Sequence, residues 1–301
     1  SRRGYVKCDH NAKCAEWQGA GRKACAERSA VTGSKGEIEK LLGEGFAALN
    51  AGRLTEAASI CQQILTLDRT RVEGHFLVGL VAAEMKDLRT AASAFGSVTK
   101  LDPKHTAAWA QLARVFMRLG QPARAEKALE EAVRIGTEDA VVEDLIGVVY
   151  SLLGDQKAAK AWYARAVAHA PHAPAFAVNL ASALTFLGEN EEGERVLGAL
   201  LAKHDEIAQA HWLLSSLRRA ENTERADNLA AQGARSGDAQ SRAFLFYAAG
   251  KEYEDCEAWD RAFIAFEAGA RAKRSIVQYD EASEEAMFRA LEEAFTPEWA
   301  A

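Results

Sequence analysis

Ala140-Val-Val-Glu-Asp-Leu-Ile-Gly147-Val-Val-Tyr150-Ser-Leu-Leu-Gly154-Asp-Gln-Lys-Ala-Ala159-Lys-Ala-Trp-Tyr163-Ala-Arg-Ala-Val-Ala-His-Ala-Pro171 reads as two helices about a turn, with Gly154 at the middle and Pro171 at the close. Steps of 34 residues to either side reach segments that begin at Ile38, Val72, Thr106, Pro174 and Ala208 and repeat the same pattern. The eighth place of each unit is small: Gly45, Gly79, Ala113, Gly147, Ala181 and Ser215. So is the twentieth, with Ala57, Ala91, Ala125, Ala159 and Gly193. Such residues let two antiparallel helices approach backbone to backbone, so a small residue is expected to meet a small residue.

Bulky side chains fill the complementary places: Trp109, Leu112, Phe116, Ile146 and Tyr150 on first helices, and Phe95, Leu129, Tyr163 and Leu197 on second helices. Gly52, Gly120, Gly154 and Gly188 mark four mid-unit turns, and Pro103 and Pro171 close two units. A seventh unit begins one residue late at Ala243, with Phe246, Gly250, Tyr253, Ala262 and Phe266 in phase. The sixth unit departs most. Arg218 holds a usually aromatic place, Asn222 replaces the turn glycine and Ala226 comes one position early, so a distorted register, with a boundary or hinge, is expected there.

These recurring places resemble the tetratricopeptide repeat family over about Ile38–Ile276. The resemblance implies an all-α, right-handed α-solenoid of tandem helix-turn-helix repeats, whose units bury their apolar faces only by stacking. The expected organisation is an irregular, partly helical segment over residues 1–35, about seven repeats over 36–277, and a capping helix with the start of a downstream region over 278–301. Asp280 is placed to N-cap that last helix, Glu281, Glu284 and Glu285 suit its first turns, and Met287, Leu291 and Phe295 give it an apolar stripe.

Composition narrows the functional classes. With 301 residues, 49% hydrophobic and 27% charged, the chain can bury a substantial core and is not a disordered polymer. A formal charge of -6 gives no general attraction to nucleic acid or to anionic membranes, and no apolar run is long enough to span a bilayer. Five cysteines without a regular framework fit a reducing compartment, so a cytoplasmic protein is expected.

Few residues invite chemistry. Cys8, His10, Cys14 and Cys25 suggest zinc but lack paired C-x-x-C spacing, and a loose tail is the favoured reading. His169 and His172 flank Pro171 in an expected solvated turn, while His75 and His211 take the fourth place of their units, where a packing role is expected. Glu130–Glu131, Glu191–Glu192 and Glu284–Glu285 read as solvated polar faces or helix first turns. Without a phosphate-binding glycine loop, a nucleophile elbow or an H-E-x-x-H helix, no catalytic residue, metal site or cofactor is expected in this chain.

The family resemblance implies that certain first-helix places line a concave groove. Applied here it selects Phe76, Leu77 and Leu80 in the second unit, then Gln111, Arg114, Met117 and Arg118 in the third. The fourth supplies Asp144, Leu145 and Val148, and the fifth Val178, Asn179, Ser182 and Phe186. Trp212, Leu213, Ser216 and Arg219 come from the sixth. The Lys and Asn pattern of chaperone-binding members is absent, and an asparagine ladder is missing because only Asn179 stands at a sixth place. The groove suits an apolar or amphipathic peptide with Phe76, Phe186 and Trp212 as anchors, or else another segment of the same polypeptide covers it.

A narrower resemblance concerns Phe246–Asp255, Trp259–Phe263, Ala272–Ser275, Tyr279-Asp280 and Ala294–Glu298, which look like the junction of bacterial tetratricopeptide-sulfotransferase proteins. In that family a catalytic domain follows, and none of its donor-binding loop occurs before Ala301. The resulting expectation is a protein-interaction scaffold, the non-catalytic front part of such an enzyme, or alternatively a free-standing adaptor.

Overall fold

The computed structural model describes residues 35–295 and 299, and no strand occurs among the described residues. The helices are α1 (35–50), α2 (Leu54–Leu67), α3 (Val72–Glu84), α4 (Leu88–Leu101), α5 (Thr106–Arg118) and α6 (Pro122–Ile135) in a first compact unit that ends at Glu138. The second unit, from Asp139, holds α7 (Ala140–Leu152), α8 (Gln156–His169), α9 (Pro174–Phe186), α10 (Asn190–Leu201), α11 (Ala208–Leu217), α12 (Glu224–Arg235), α13 (Ala239–Asp255), α14 (Trp259–Arg274) and α15 (Glu281–Ala294). The division falls at Glu138–Asp139, not in the sixth repeat where the sequence points to a boundary.

In the first unit the 34-residue spacing acts through knobs and holes. A Cβ added at Gly79 would lie 2.5 Å from the Phe95 ring, and one at Gly45 would lie 2.5 Å from Leu77 Cδ2. The small eighth place therefore receives a large side chain. This corrects the expectation that small would meet small: the twentieth-place alanines Ala57, Ala91 and Ala125 are fully buried, but at Gly79 the ring of the twenty-fourth residue fills the gap. Gly52 and Gly120 turn the chain with φ of +71° and +68°. At the equivalent point of the second hairpin Lys86 adopts φ +63°, a left-handed conformation that carries strain for a residue with a Cβ. Asp87 then caps α4 by accepting from Thr90 N at 3.1 Å.

The second unit repeats the same seat. The Tyr163 ring lies 2.7 Å from a Cβ built at Gly147, and the Phe266 ring lies 2.7 Å from one built at Gly250. Gly154 and Gly188 carry the turns with φ of +89° and +74°, and Asp155 caps α8 through Ala158 N at 2.9 Å. The sixth repeat is distorted as its sequence suggests. Helix α11 has 10 residues where α7 and α9 have 13, the connection over 218–223 is irregular, and α11 and α12 pack chiefly on α13.

Helix α15 forms where expected, with Asp280 accepting from Ser283 N at 3.3 Å. It does not cap the array, however. None of its residues is buried, and Met287, Leu291 and Phe295 are 45–55% exposed. Its apolar stripe lies open because the helix packs against no other element to any extent.

Candidate functional site

The first helix of each repeat carries the predicted lining residues. In the first unit these lie on α3 and α5. Phe76 is half-buried and already engaged, edge-on to Phe95 at 5.6 Å between ring centres and tilted over His105 at 4.9 Å. Leu80 beside it is half-buried. On α5, Gln111, Arg114 and Arg118 recur at three- and four-residue spacing and so share a face. Arg118 is exposed and donates to the Ala83 carbonyl at 3.4 Å. The Arg114 guanidinium is held below its usual range, first by burial and then by the charge of Arg118, against which only the Glu84 carboxylate acts. Its Nε is buried without a hydrogen-bond partner, as is Gln111 Oε1. A desolvated cation beside a second cation, with an unused donor, is an arrangement that an anionic group relieves.

In the second unit Asp144 on α7 accepts from Asn179 Nδ2 on α9 at 2.9 Å. Burial pushes the Asp144 carboxyl above its usual range, and the Asn179 bond opposes that only in part. Ser182 is half-buried, and Phe186, at the end of α9, is 75% exposed. Trp212 on α11 lies against Phe244 of α13, with centroids 5.6 Å apart.

Four residues chosen from the sequence do not line this face. Leu77, Leu145, Val178 and Leu213 are buried in the packing between helices, and Leu77 sits directly over Gly45. The sixth place points toward the preceding repeat, which is why the polar residues there, Gln111 and Asn179, are only half-buried and why Asn179 reaches back to Asp144. Arg219 is not on a helix at all. Because α11 stops at Leu217, it lies in the irregular connection and donates to the Asp255 carbonyl at 3.3 Å. Glu84 and Phe244 were missed, although Glu84 holds the same thirteenth place in its unit as Arg118.

Two family models for the tetratricopeptide repeat match the sequence, one over residues 82–147 and the other over 144–172. Residues 82–172 therefore carry tetratricopeptide repeats. Among solved structures it is similar to TTC0263, a thermophilic TPR protein of Thermus thermophilus, at 18% identity and TM-score 0.52, covering 60% of this chain and 98% of that one. It is also similar to PilF of Pseudomonas aeruginosa, at 14% identity and TM-score 0.55, covering 75% and 99%. A chain of the APC/C hetero-tetramer Cut9–Hcn1 matches at 15% identity and TM-score 0.55, covering 77% and 42%. At these identities the likeness establishes the fold. No curated protein sequence matches it significantly.

Elsewhere in this repeat protein, His169 is not in a solvated turn. It ends α8, and its Nδ1 lies 2.6 Å from Oε2 of the buried Glu143, whose Oε1 accepts from Arg165 Nε at 2.8 Å. His75 is half-buried and its Nε2 lies 2.8 Å from the Arg69 carbonyl, consistent with a packing role. A further cavity of about 720 Å³ in the first unit lies between α2, α3 and the start of α4, walled by Ala58, Leu65, Val78 and Met85. Cys61 lines it, its thiol pushed up to about 11 by burial and so unreactive. Among the described residues no group of three His, Cys, Asp or Glu side chains is placed to hold a metal ion, and no helix is long and apolar enough to cross a membrane. Cys8, His10, Cys14 and Cys25 lie outside the described residues.

Proposed function

We propose that this protein is a tetratricopeptide-repeat recognition scaffold whose first-helix faces take an amphipathic peptide. The observation that carries the reading is Arg114: a largely desolvated guanidinium with an idle Nε, next to Arg118 and Gln111 Oε1. An acidic side chain of the peptide supplies the missing charge there, while a backbone N–H can donate to Gln111 Oε1. The second unit, taken by itself, offers apolar anchors in exposed Phe186 and the Trp212–Phe244 pair, with Asp144 and Asn179 as polar guides. The scaffold itself performs no catalysis in this reading.

Fluorescence anisotropy with a library of labelled amphipathic peptides tests it. Acidic members bind, more weakly at higher salt, and Arg114→Gln lowers their affinity by roughly tenfold, the scale of one charged contact. Equal binding by acidic and basic peptides, or an Arg114→Gln protein that binds as well as the parent, contradicts the reading.

The resemblance of Phe246–Glu298 to the junction of bacterial tetratricopeptide-sulfotransferase proteins supports a narrower form of the proposal, in which this cytoplasmic scaffold precedes a sulfotransferase domain. The coding sequence beyond Ala301 tests that form. A donor-binding loop downstream bears it out, and a stop codon leaves the free-standing adaptor.

A further inference from the structure

Where α11 ends early, the second unit contains a polar cavity of about 480 Å³, lined by Glu194, Arg218, Arg219, Asn222, Arg225 and Glu252 among others. Its floor is costly to build. Glu252 on α13 is 2% exposed, and its Oε1 is paired with Arg225 and accepts from Ser215 Oγ at 2.8 Å. The Arg225 guanidinium is pushed down to about 10 by burial and by the charge of Arg218, and it also donates to Ser215 Oγ at 3.0 Å and to His211 Nδ1 at 3.2 Å. His211 donates from Nε2 to the Asp205 carbonyl at 2.8 Å, so this bond pattern makes its imidazole the neutral Nε2–H form.

Every member of the network is thus satisfied except one atom. Glu252 Oε2 is buried and accepts no hydrogen bond. A buried carboxylate oxygen left without a donor is expensive in a folded protein, and Glu252 is one of the residues that line the cavity. The lining also carries Arg218 and Arg219, beside the carboxylates of Glu194 and Glu221. Arg218 and Arg219 are exposed, and each guanidinium has one long contact, 3.4 Å to Glu194 Oε1 and 3.3 Å to the Asp255 carbonyl. Their backbone is nevertheless fixed: Lys251 Nζ donates to the Arg218 carbonyl at 3.0 Å, and Ala220 N donates to Asp255 Oδ2 at 3.0 Å. The connection is therefore tied to α13, and two loosely engaged cations line the same cavity as the residue with the unsatisfied acceptor.

We propose that this cavity binds a ligand carrying an N–H donor beside a carboxylate, the N–H going to Glu252 Oε2 and the carboxylate to Arg218 and Arg219. A free α-amino acid has this chemistry, and so does the C-terminal residue of a peptide. The size is right for one such residue with its side chain. The site is separate from the first-helix faces and stands whether or not they bind a peptide.

Isothermal titration of the full chain with each of the twenty free L-amino acids, and with their N-acetyl derivatives, tests the proposal. Binding by at least one amino acid is expected, together with no response to acetate alone or to ethylammonium alone, since each presents half of the required pair. Retention of affinity by the N-acetyl form assigns the site to peptide C-termini, and its loss assigns it to free amino acids. Arg218→Ala with Arg219→Ala, at exposed positions that leave the buried network intact, weakens binding at least tenfold. Glu252→Gln does so as well, and if that variant fails to fold the arginine pair still decides. Silence across both series, binding of acetate as tight as that of the amino acids, or affinity unchanged in the arginine variant overturns the proposal.

Discussion

Two buried glutamates in the second unit invite comparison. Glu143 in the fourth hairpin has both oxygens occupied, one by Arg165 and the other by His169. Glu252, beside the opened sixth repeat, has one oxygen occupied by Arg225 and Ser215 and the other idle. Their surroundings differ in the same sense. Around Glu143 the repeat is regular, with a glycine seat for Tyr163, a glycine turn and an aspartate cap. Around Glu252 the first helix is short and the turn is irregular. A buried charge within a regular hairpin serves as a clasp, whereas the same group beside an opened hairpin is left with capacity for a ligand.

The largest expected effect breaks the Glu252 cluster. Glu252→Ala leaves Arg225 buried without its counter-charge and costs about 3–5 kcal/mol by urea denaturation. Replacing the pair together, Arg225→Met with Glu252→Leu, recovers most of that loss, because an apolar filling escapes the desolvation of two charges. Glu143→Ala costs less than Glu252→Ala, since Arg165 and His169 are each more than 40% exposed and return to water. Equal losses at the two glutamates would erase the distinction between clasp and site.

Next in size is the seat that defines the regular hairpin. Gly147→Leu displaces Tyr163 and costs about 3 kcal/mol, at the upper end of overpacking. The same measurement at Ser215, whose side chain serves the polar network and seats no ring, gives a loss governed by the hydrogen bonds to Glu252 and Arg225 instead.

Acid separates the two regions further. Burial holds the His211 imidazole below its ordinary value, with Arg225 adding to that and Asp205 opposing it. A base depressed in the folded state contributes stability that is present above its unfolded value, near 6.5, and is lost as the pH falls below it. Stability therefore declines as the pH falls below about 6.5 in the parent, and His211→Gln flattens that decline in denaturation midpoints taken across the range. Smallest are the caps and turns. Asp155→Ala costs about 1 kcal/mol, and Thr223→Ala at the equivalent point of the sixth repeat costs almost nothing, because Thr223 makes no side-chain capping bond. Lys86→Gly gains up to about 1 kcal/mol by relieving a positive φ.

The regular features were legible because each depends on residues at fixed spacing within one repeat. Gly79, Gly147 and Gly250 announced small seats, and Gly154 and Gly188 announced turns. What fills those seats was misread, since the ring of the twenty-fourth residue competes with the twentieth for the same space and only packing decides. Sixth-place residues were misassigned for a similar reason: their direction depends on the preceding repeat, as Leu77 over Gly45 shows. Lys86 at a left-handed turn carries no glycine to betray it. The desolvation of Arg114 and the idle oxygen of Glu252 arise from atoms far apart in the chain, so no local pattern records them. The odd sixth repeat was visible in Asn222 and Ala226, but its consequence, a cavity walled by α13, was not.

Proton NMR of the three glycine seats offers the sharpest trial of the repeat geometry that sets every helix face. The Hα resonances of Gly79, Gly147 and Gly250 are expected far upfield, each with cross-relaxation to the ring protons of Phe95, Tyr163 and Phe266 respectively. Random-coil shifts at any of the three, or ring contacts to other residues, would mean that the repeats do not nest at equivalent crossings.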